Sequence, residues 1–236
     1  MTAAGGARER VRAELTREIA QVARRQLAVE GAAGLSLRAV ARELGMASSA
    51  IYRYFPSRDE LLTTLIVDGY NAIGEAAERS EAKSAPDDYP GRWFALAHAA
   101  RDWALAHPHE YALLYGSPVP GYQAPHDTLA PAVRATAVYG RLVTGACRAG
   151  TLTTRSAVAP SAPLAEDAAR IRAAVMPEVP DDVLLRALSV WTGLFGWLNF
   201  ELFGQFEGTV LARRAAFDHH LGCLAQLLGL PSGDPR

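Results

Sequence analysis

The chain has 236 residues, half of them hydrophobic, with a net charge of −1 and only two cysteines. That is enough apolar material for a sizeable core in one large domain, or a small domain joined to a larger one. Cys147 and Cys223 lie far apart, with no CxxC pair, which excludes a disulfide framework and a cysteine-rich metal site.

The near-zero net charge conceals a division. Residues 1–60 carry ten arginines and seven acids, an excess of +3, and the remainder of the chain carries −4. A partner of negative charge is therefore expected at the N-terminal end. Helical periodicity dominates throughout, and no alternating strand pattern is found. The fold class expected is all-α.

Leu15, Ile19, Val22, Ala23 and Leu27 recur at helical spacing, so a first helix is expected over residues 9–30, with Gly31 and Gly34 bracketing its end. Ser36 is a suitable N-cap for a second helix over 37–44. A third helix is expected over 47–54, stopping before Pro56. The spacing of Ala41, Gly45 and Ile51 is what two short helices need in order to cross closely. Ala41 adds no bulk, Gly45 can adopt the positive φ of the turn, and Ile51 plugs the third helix onto the second. The arrangement is a helix-turn-helix, whose second helix commonly lies in the major groove of DNA.

With Ile51 and Phe55 inward, periodicity turns Ala47, Ser48, Ser49, Tyr52 and Arg53 outward. Arg53 has the fork geometry to read guanine, and the two serines can bond base edges or phosphate. Arg38 and Arg58 flank this helix as phosphate ligands. The free N–H groups behind Ser36 and Ser57 could serve the same purpose. The DNA-binding candidates are Ser36, Arg38, Ala47, Ser48, Ser49, Tyr52, Arg53 and Arg58.

Ser57 caps a long fourth helix reaching about residue 80, with Asp59 and Glu60 in its first turn. A fifth helix is expected over 90–106, broken by His107-Pro108, and a short sixth ends near Gly116. SPVPGYQAP, residues 117–125, reads as a loop. A seventh helix is expected over 128–149, followed by a mobile Ala/Ser/Thr/Pro linker over 151–163. Helices over 181–205 and 211–228 close the chain. Gly193, Gly196 and Gly204 within the former imply close approach by another helix, either in the same subunit or in a dimer. No apolar run of signal-peptide length opens the chain, and the longest charge-free apolar stretch has only fourteen residues, so a cytoplasmic location is expected.

Residues 11–62 resemble the DNA-binding domain of the TetR family of bacterial transcription regulators. The likeness rests on the helix-turn-helix and on Tyr52, Tyr54, Phe55, Arg58 and Leu61 in the order Y-x-Y-F-x-x-R-x-x-L. The resemblance implies that Tyr52 and Arg58 contact phosphate. Tyr54 stands where histidine is commoner in the family, and Arg58 where lysine is. Residues 87–228 resemble the WHG-type C-terminal domain of some family members, through Trp191, Gly196, Glu201, Leu202, Phe203 and Gly204. Phe195 replaces a frequent histidine there, which implies a more apolar pocket.

The division expected is 1–56 for DNA binding and 57–236 for effector binding and dimerisation. Aromatic residues are dense in the larger part. The effector-binding candidates are Trp93, His98, Trp103, Tyr115, Tyr139, Trp191, Phe195 and Asn199, although aromatics at helical spacing also serve as plain core. The expected partners are an inverted-repeat operator in double-stranded DNA, a small apolar effector and a second copy of the chain, with no membrane. No cofactor or metal is expected. His107 and His109 lack a ligand set, and the motifs of phosphate-loop, nucleotide-binding, serine-nucleophile and zinc-protease enzymes are missing. The expected function is a repressor released by its effector. The alternative is a helical small-molecule-binding protein or enzyme with a vestigial helix-turn-helix.

Overall fold

The computed structural model describes residues 3–153 and 160–231, and among these all regular structure is helical. Helix α1 (Ala3–Gly34) runs regularly up to Gly31, whose φ of 68° breaks it. α2 (Leu37–Glu43) starts on the Ser36 hydroxyl, which accepts from the Ala39 amide. α3 (Ser48–Ile51) is a single regular turn. It is continued by the bonds Arg53 N–H to Ala50 O and Phe55 N–H to Ile51 O. Three turn residues, Tyr52 to Tyr54, therefore replace the end of the helix expected over 47–54. α4 (Arg58–Glu81) is capped by the Ser57 hydroxyl, which accepts from the Glu60 amide at 3.1 Å.

Two compact units emerge, one from Met1–Tyr70 with His107–Pro131 and one from Asn71–Ala106 with Ala132–Arg236. In the first unit, α1 packs on α2 and on α6 (Pro108–Tyr115), and α2 packs on α3. Its core gathers Ile19, Val22, Ala23, Val40, Ala41, Ile51 and Phe55 with Leu61, Leu62 and Leu65 from the start of α4. Arg24 braces this unit through ion pairs to Asp68 at 2.6 Å and Glu110 at 3.4 Å.

The second unit contains α5 (Tyr89–Ala106), α8 (Arg134–Arg148), α9 (Ala162–Val175), α10 (Asp181–Leu202) and α11 (Arg213–Leu228). α5 packs on α8, α10 and α11, while α9 packs on α8 and α10. By length and composition α10 could cross a membrane. Its Val183, Leu184, Ala187, Val190, Leu194 and Leu198 are instead buried within the chain.

Further elements in the second half of the chain differ from those expected. The helix expected over 128–149 is divided into a 3-10 turn (His126–Thr128), α7 (Leu129–Ala132) and α8. Pro131 lacks the amide that a continuous helix would need there. α9 was not anticipated, and the linker expected over 151–163 falls partly on 154–159, outside the described residues. α10 ends at Leu202, so Gly204, with φ of 82°, lies beyond the helix rather than within it. Gly193 does meet a neighbouring helix, since a Cβ there would lie 2.9 Å from Leu224 of α11. Gly196 faces open space.

Gly140 provides the sharpest packing constraint. A Cβ on it would stand 2.2 Å from the Val175 carbonyl oxygen, because α8 meets the end of α9 there. Gly140→Ala is expected to destabilise the protein by about 1–3 kcal/mol, as an overpacked contact against backbone that has nowhere to move. A urea midpoint unchanged or raised would show that the two helices can separate freely.

Candidate nucleic-acid interface

The turn between α2 and α3 forms as its residue types dictate. Gly45 adopts φ of 65°, a left-handed conformation that a side chain would strain. The Met46 amide then closes onto the Ala41 carbonyl at 2.8 Å. Ala41 and Ile51 are both fully buried, and Phe55 is 4 % exposed. That leaves Ala47, Ser48, Ser49, Tyr52 and Arg53 exposed along one side of the second element, with Arg38 exposed on α2.

Ser36 is half-buried, and its hydroxyl is engaged in capping α2. Arg58 is also half-buried. Its guanidinium donates to the carbonyls of Ala32 at 2.7 Å and Leu35 at 3.2 Å, and Asp59 lies 3.6 Å away. Arg58 thus closes the frayed end of α1 with the donors a phosphate would use.

Sequence reasoning overlooked the beginning of α1. Arg8 and Arg12, one helical turn apart, line an open cleft with Val11, Arg53 and Tyr54. The Arg12 guanidinium donates to the Arg53 carbonyl at 3.3 Å and lies 6.0 Å from the centre of the Tyr54 ring. An Arg-x-x-x-Arg pair at a helix start, with no acid at the same spacing, was the available signal.

The effector candidates fall in both units. Tyr115 belongs to the first, where its ring meets Tyr70 edge-on at 6.0 Å, and burial pushes its hydroxyl pKa upward. The remaining seven belong to the second. Trp93 and Tyr139 are fully buried, and each donates to a backbone carbonyl, Leu221 and Ala187 respectively, at 3.1 Å. Trp191 stacks on Tyr139 at 5.0 Å and touches Phe195 at 5.0 Å. Phe195 and Asn199 are half-buried.

His98 and Trp103 line a different cleft with Ala76, Arg79, Ser80, Lys83, Ser84 and Asp102. The His98 Nε2 lies 2.9 Å from Asp218. Burial, reinforced by the nearby Arg214 charge, nevertheless lowers the imidazole pKa. Among the described residues no three His, Cys, Asp or Glu side chains assemble as metal ligands would.

Known proteins place these features in context. Residues 19–65 match the bacterial regulatory proteins of the tetR family, and residues 93–224 match the tetracyclin repressor-like C-terminal domain. The chain is 40% identical over 207 residues to the HTH-type transcriptional regulators Rv1816 of Mycobacterium tuberculosis and Mb1846 of Mycobacterium bovis. That alignment covers 87% of this chain and 88% of each relative. Among solved structures, the protein SCO4313 superposes with a TM-score of 0.74 at 38% identity, covering 92% of this chain and 98% of that one. A Rhodococcus sp. RHA1 protein of unknown function superposes with a TM-score of 0.66 at 27% identity, covering 90% and 96%.

Proposed function

Since this chain belongs to the TetR family of transcription regulators, and is a DNA-binding regulator rather than an enzyme, we propose that it is a repressor that grips an inverted-repeat operator as a homodimer. The observation that carries this reading is where the arginines lack acidic partners. Of the ten arginines in residues 1–60, Arg24, Arg25 and Arg58 have an acidic partner within 4 Å. Arg8, Arg10, Arg12, Arg17, Arg38, Arg42 and Arg53 have none among the described residues.

Beyond residue 60 the pattern reverses. Arg79, Arg92, Arg101, Arg134, Arg141, Arg148, Arg170, Arg172, Arg186, Arg213 and Arg214 are all paired, which leaves Lys83 as the exception among the described cations. Cations without acidic partners gather where a polyanion would dock, and phosphate contact releases the counterions that otherwise surround it. In this reading Ala47, Ser48, Ser49, Tyr52 and Arg53 enter the groove, Arg38 takes phosphate, and Ser36 and Arg58 act mainly by fixing α1 and α2 around it.

Residues 57–236 serve effector binding and dimerisation, with 1–56 reading DNA. Dimerisation is supported by a stripe along α10, where Leu188, Thr192, Gly196 and Phe200 recur every fourth residue and are exposed. A two-fold dimer addresses two half-sites about 34 Å apart, and an effector that favours another helix setting would alter that spacing. The half-buried pair Trp191 and Phe195, with Asn199, forms the apolar candidate surface for it. The setting is cytoplasmic.

The test is selection of duplexes from a random library by the intact protein. Recovery of an inverted repeat is expected. Arg53→Ala should then lose about 1–3 kcal/mol of discrimination at one position of each half-site while retaining salt-dependent binding to any duplex. Recovery of no consensus would overturn the proposal.

A further inference from the structure

The first turns of α1 form a surface that the helix-turn-helix itself does not require. We infer that the cleft between these turns and the recognition segment is a phosphate site. In it, Arg8 and Arg12 close on a backbone phosphate of the operator while the Arg53 carbonyl anchors Arg12, extending the DNA footprint beyond the recognition helix. The inference rests on the DNA-binding reading above.

Arg8 and Arg12, one helical turn apart, line an open cleft of about 410 Å³ with Val11, Tyr54 and Arg53, and no carboxylate is among its lining residues. Neither arginine has an acidic partner among the described residues, so an anion from outside meets no internal competitor there. The planar fork of arginine matches the geometry of a phosphate's oxygens, so two such forks favour it over a monodentate anion.

The site is also held in place. Arg12 is anchored by its bond to the Arg53 carbonyl and by the face of Tyr54, so one fork is oriented before any ligand arrives. That bond joins α1 directly to the recognition segment, so α1 follows wherever Arg53 is placed. Val11, 63 % exposed, lies between Arg8 and Arg12, where a merely solvated helix would carry a polar residue. An apolar side chain beside a phosphate clamp suits the C–H face of a deoxyribose.

The experiment measures operator affinity against salt for the full chain and for Arg8→Ala, between about 50 and 200 mM salt. Each lost phosphate contact should lower the log–log salt slope by about 0.9 per protomer, or about 1.8 for a dimer. The ratio of wild-type to variant affinity should therefore shrink about twelvefold across that range. Specific and scrambled duplexes should weaken alike, Arg8→Lys should recover the slope, and the thermal midpoint should not move, because Arg8 is exposed. An unchanged slope in Arg8→Ala, with the consensus still selected and Arg53→Ala still losing discrimination at its one position, would overturn this inference and leave the DNA-binding reading intact. Failure to select any consensus would remove both. A shifted midpoint with an unchanged slope would make the cleft a structural brace and would likewise overturn the phosphate site.

Discussion

Glu201→Ala is expected to cost about 3–5 kcal/mol of folding stability, because it leaves a buried guanidinium without its counter-charge. Arg101 and Glu201 form a two-pronged pair at 2.5 and 2.8 Å, with side chains only 8% and 3% exposed. Trp197 donates its indole N–H to the same carboxylate at 3.2 Å, and the Arg101 guanidinium lies 5.2 Å from the centre of the Phe217 ring. Residues from α5, α10 and α11 thus meet at one charged centre. Removing both charges at once is a different experiment. Arg101→Met with Glu201→Leu should recover most of the loss, since apolar groups of similar volume have no desolvation penalty to offset. Denaturant midpoints of the two single variants and the double variant measure the coupling. Single variants that lose less than about 1 kcal/mol would mean that water reaches the pair.

The helix-turn-helix was legible because its determinants are local. Ser36, Ala41, Gly45 and Ile51 fall within a short stretch, and each acts on backbone or side chains a few residues away. The φ of Gly45 and the burial of Ala41 and Ile51 follow from residue type alone. Arg58 shows the limit of that reasoning. Its position suits a phosphate ligand, yet its partners are carbonyls 23 and 26 residues back in the chain. No spacing rule reveals that α1 ends beside it.

α9 was hidden for a related reason. Its opening Ala-Pro follows an Ala/Ser/Thr/Pro run, and of its fourteen residues Ala168 alone is buried. A helix with so narrow an apolar face has almost no periodic signal, and it forms because α8 and α10 provide a surface for it. The same non-locality governs the aromatic residues. Helical spacing showed that they share faces, but not which faces turn inward, so Trp93 and Tyr139 carried the same expectation as Trp191 and Phe195. Burial separates them. The first two have their polar atoms satisfied by backbone, while the second pair remains partly open.

That separation leads to a second large effect. Trp93→Ala should cost about 3–5 kcal/mol, the range for a fully buried large aromatic, and should lower the thermal midpoint by several degrees. Trp93 spans from α5 to the Leu221 carbonyl of α11 and lies 5.8 Å from the Tyr139 ring, so its removal leaves a void touching three helices. Trp191 belongs to the same aromatic group, stacked on Tyr139 but only half-buried. Trp191→Ala should therefore cost distinctly less stability. If an effector lies against that surface, it should instead diminish the thermal shift that an apolar ligand produces. The two variants thus assign core and site by opposite signatures. Equal losses of stability in both, with no change in ligand response, would place Trp191 in the core beside Trp93 and move the search for the effector to the cleft lined by His98, Trp103 and Lys83.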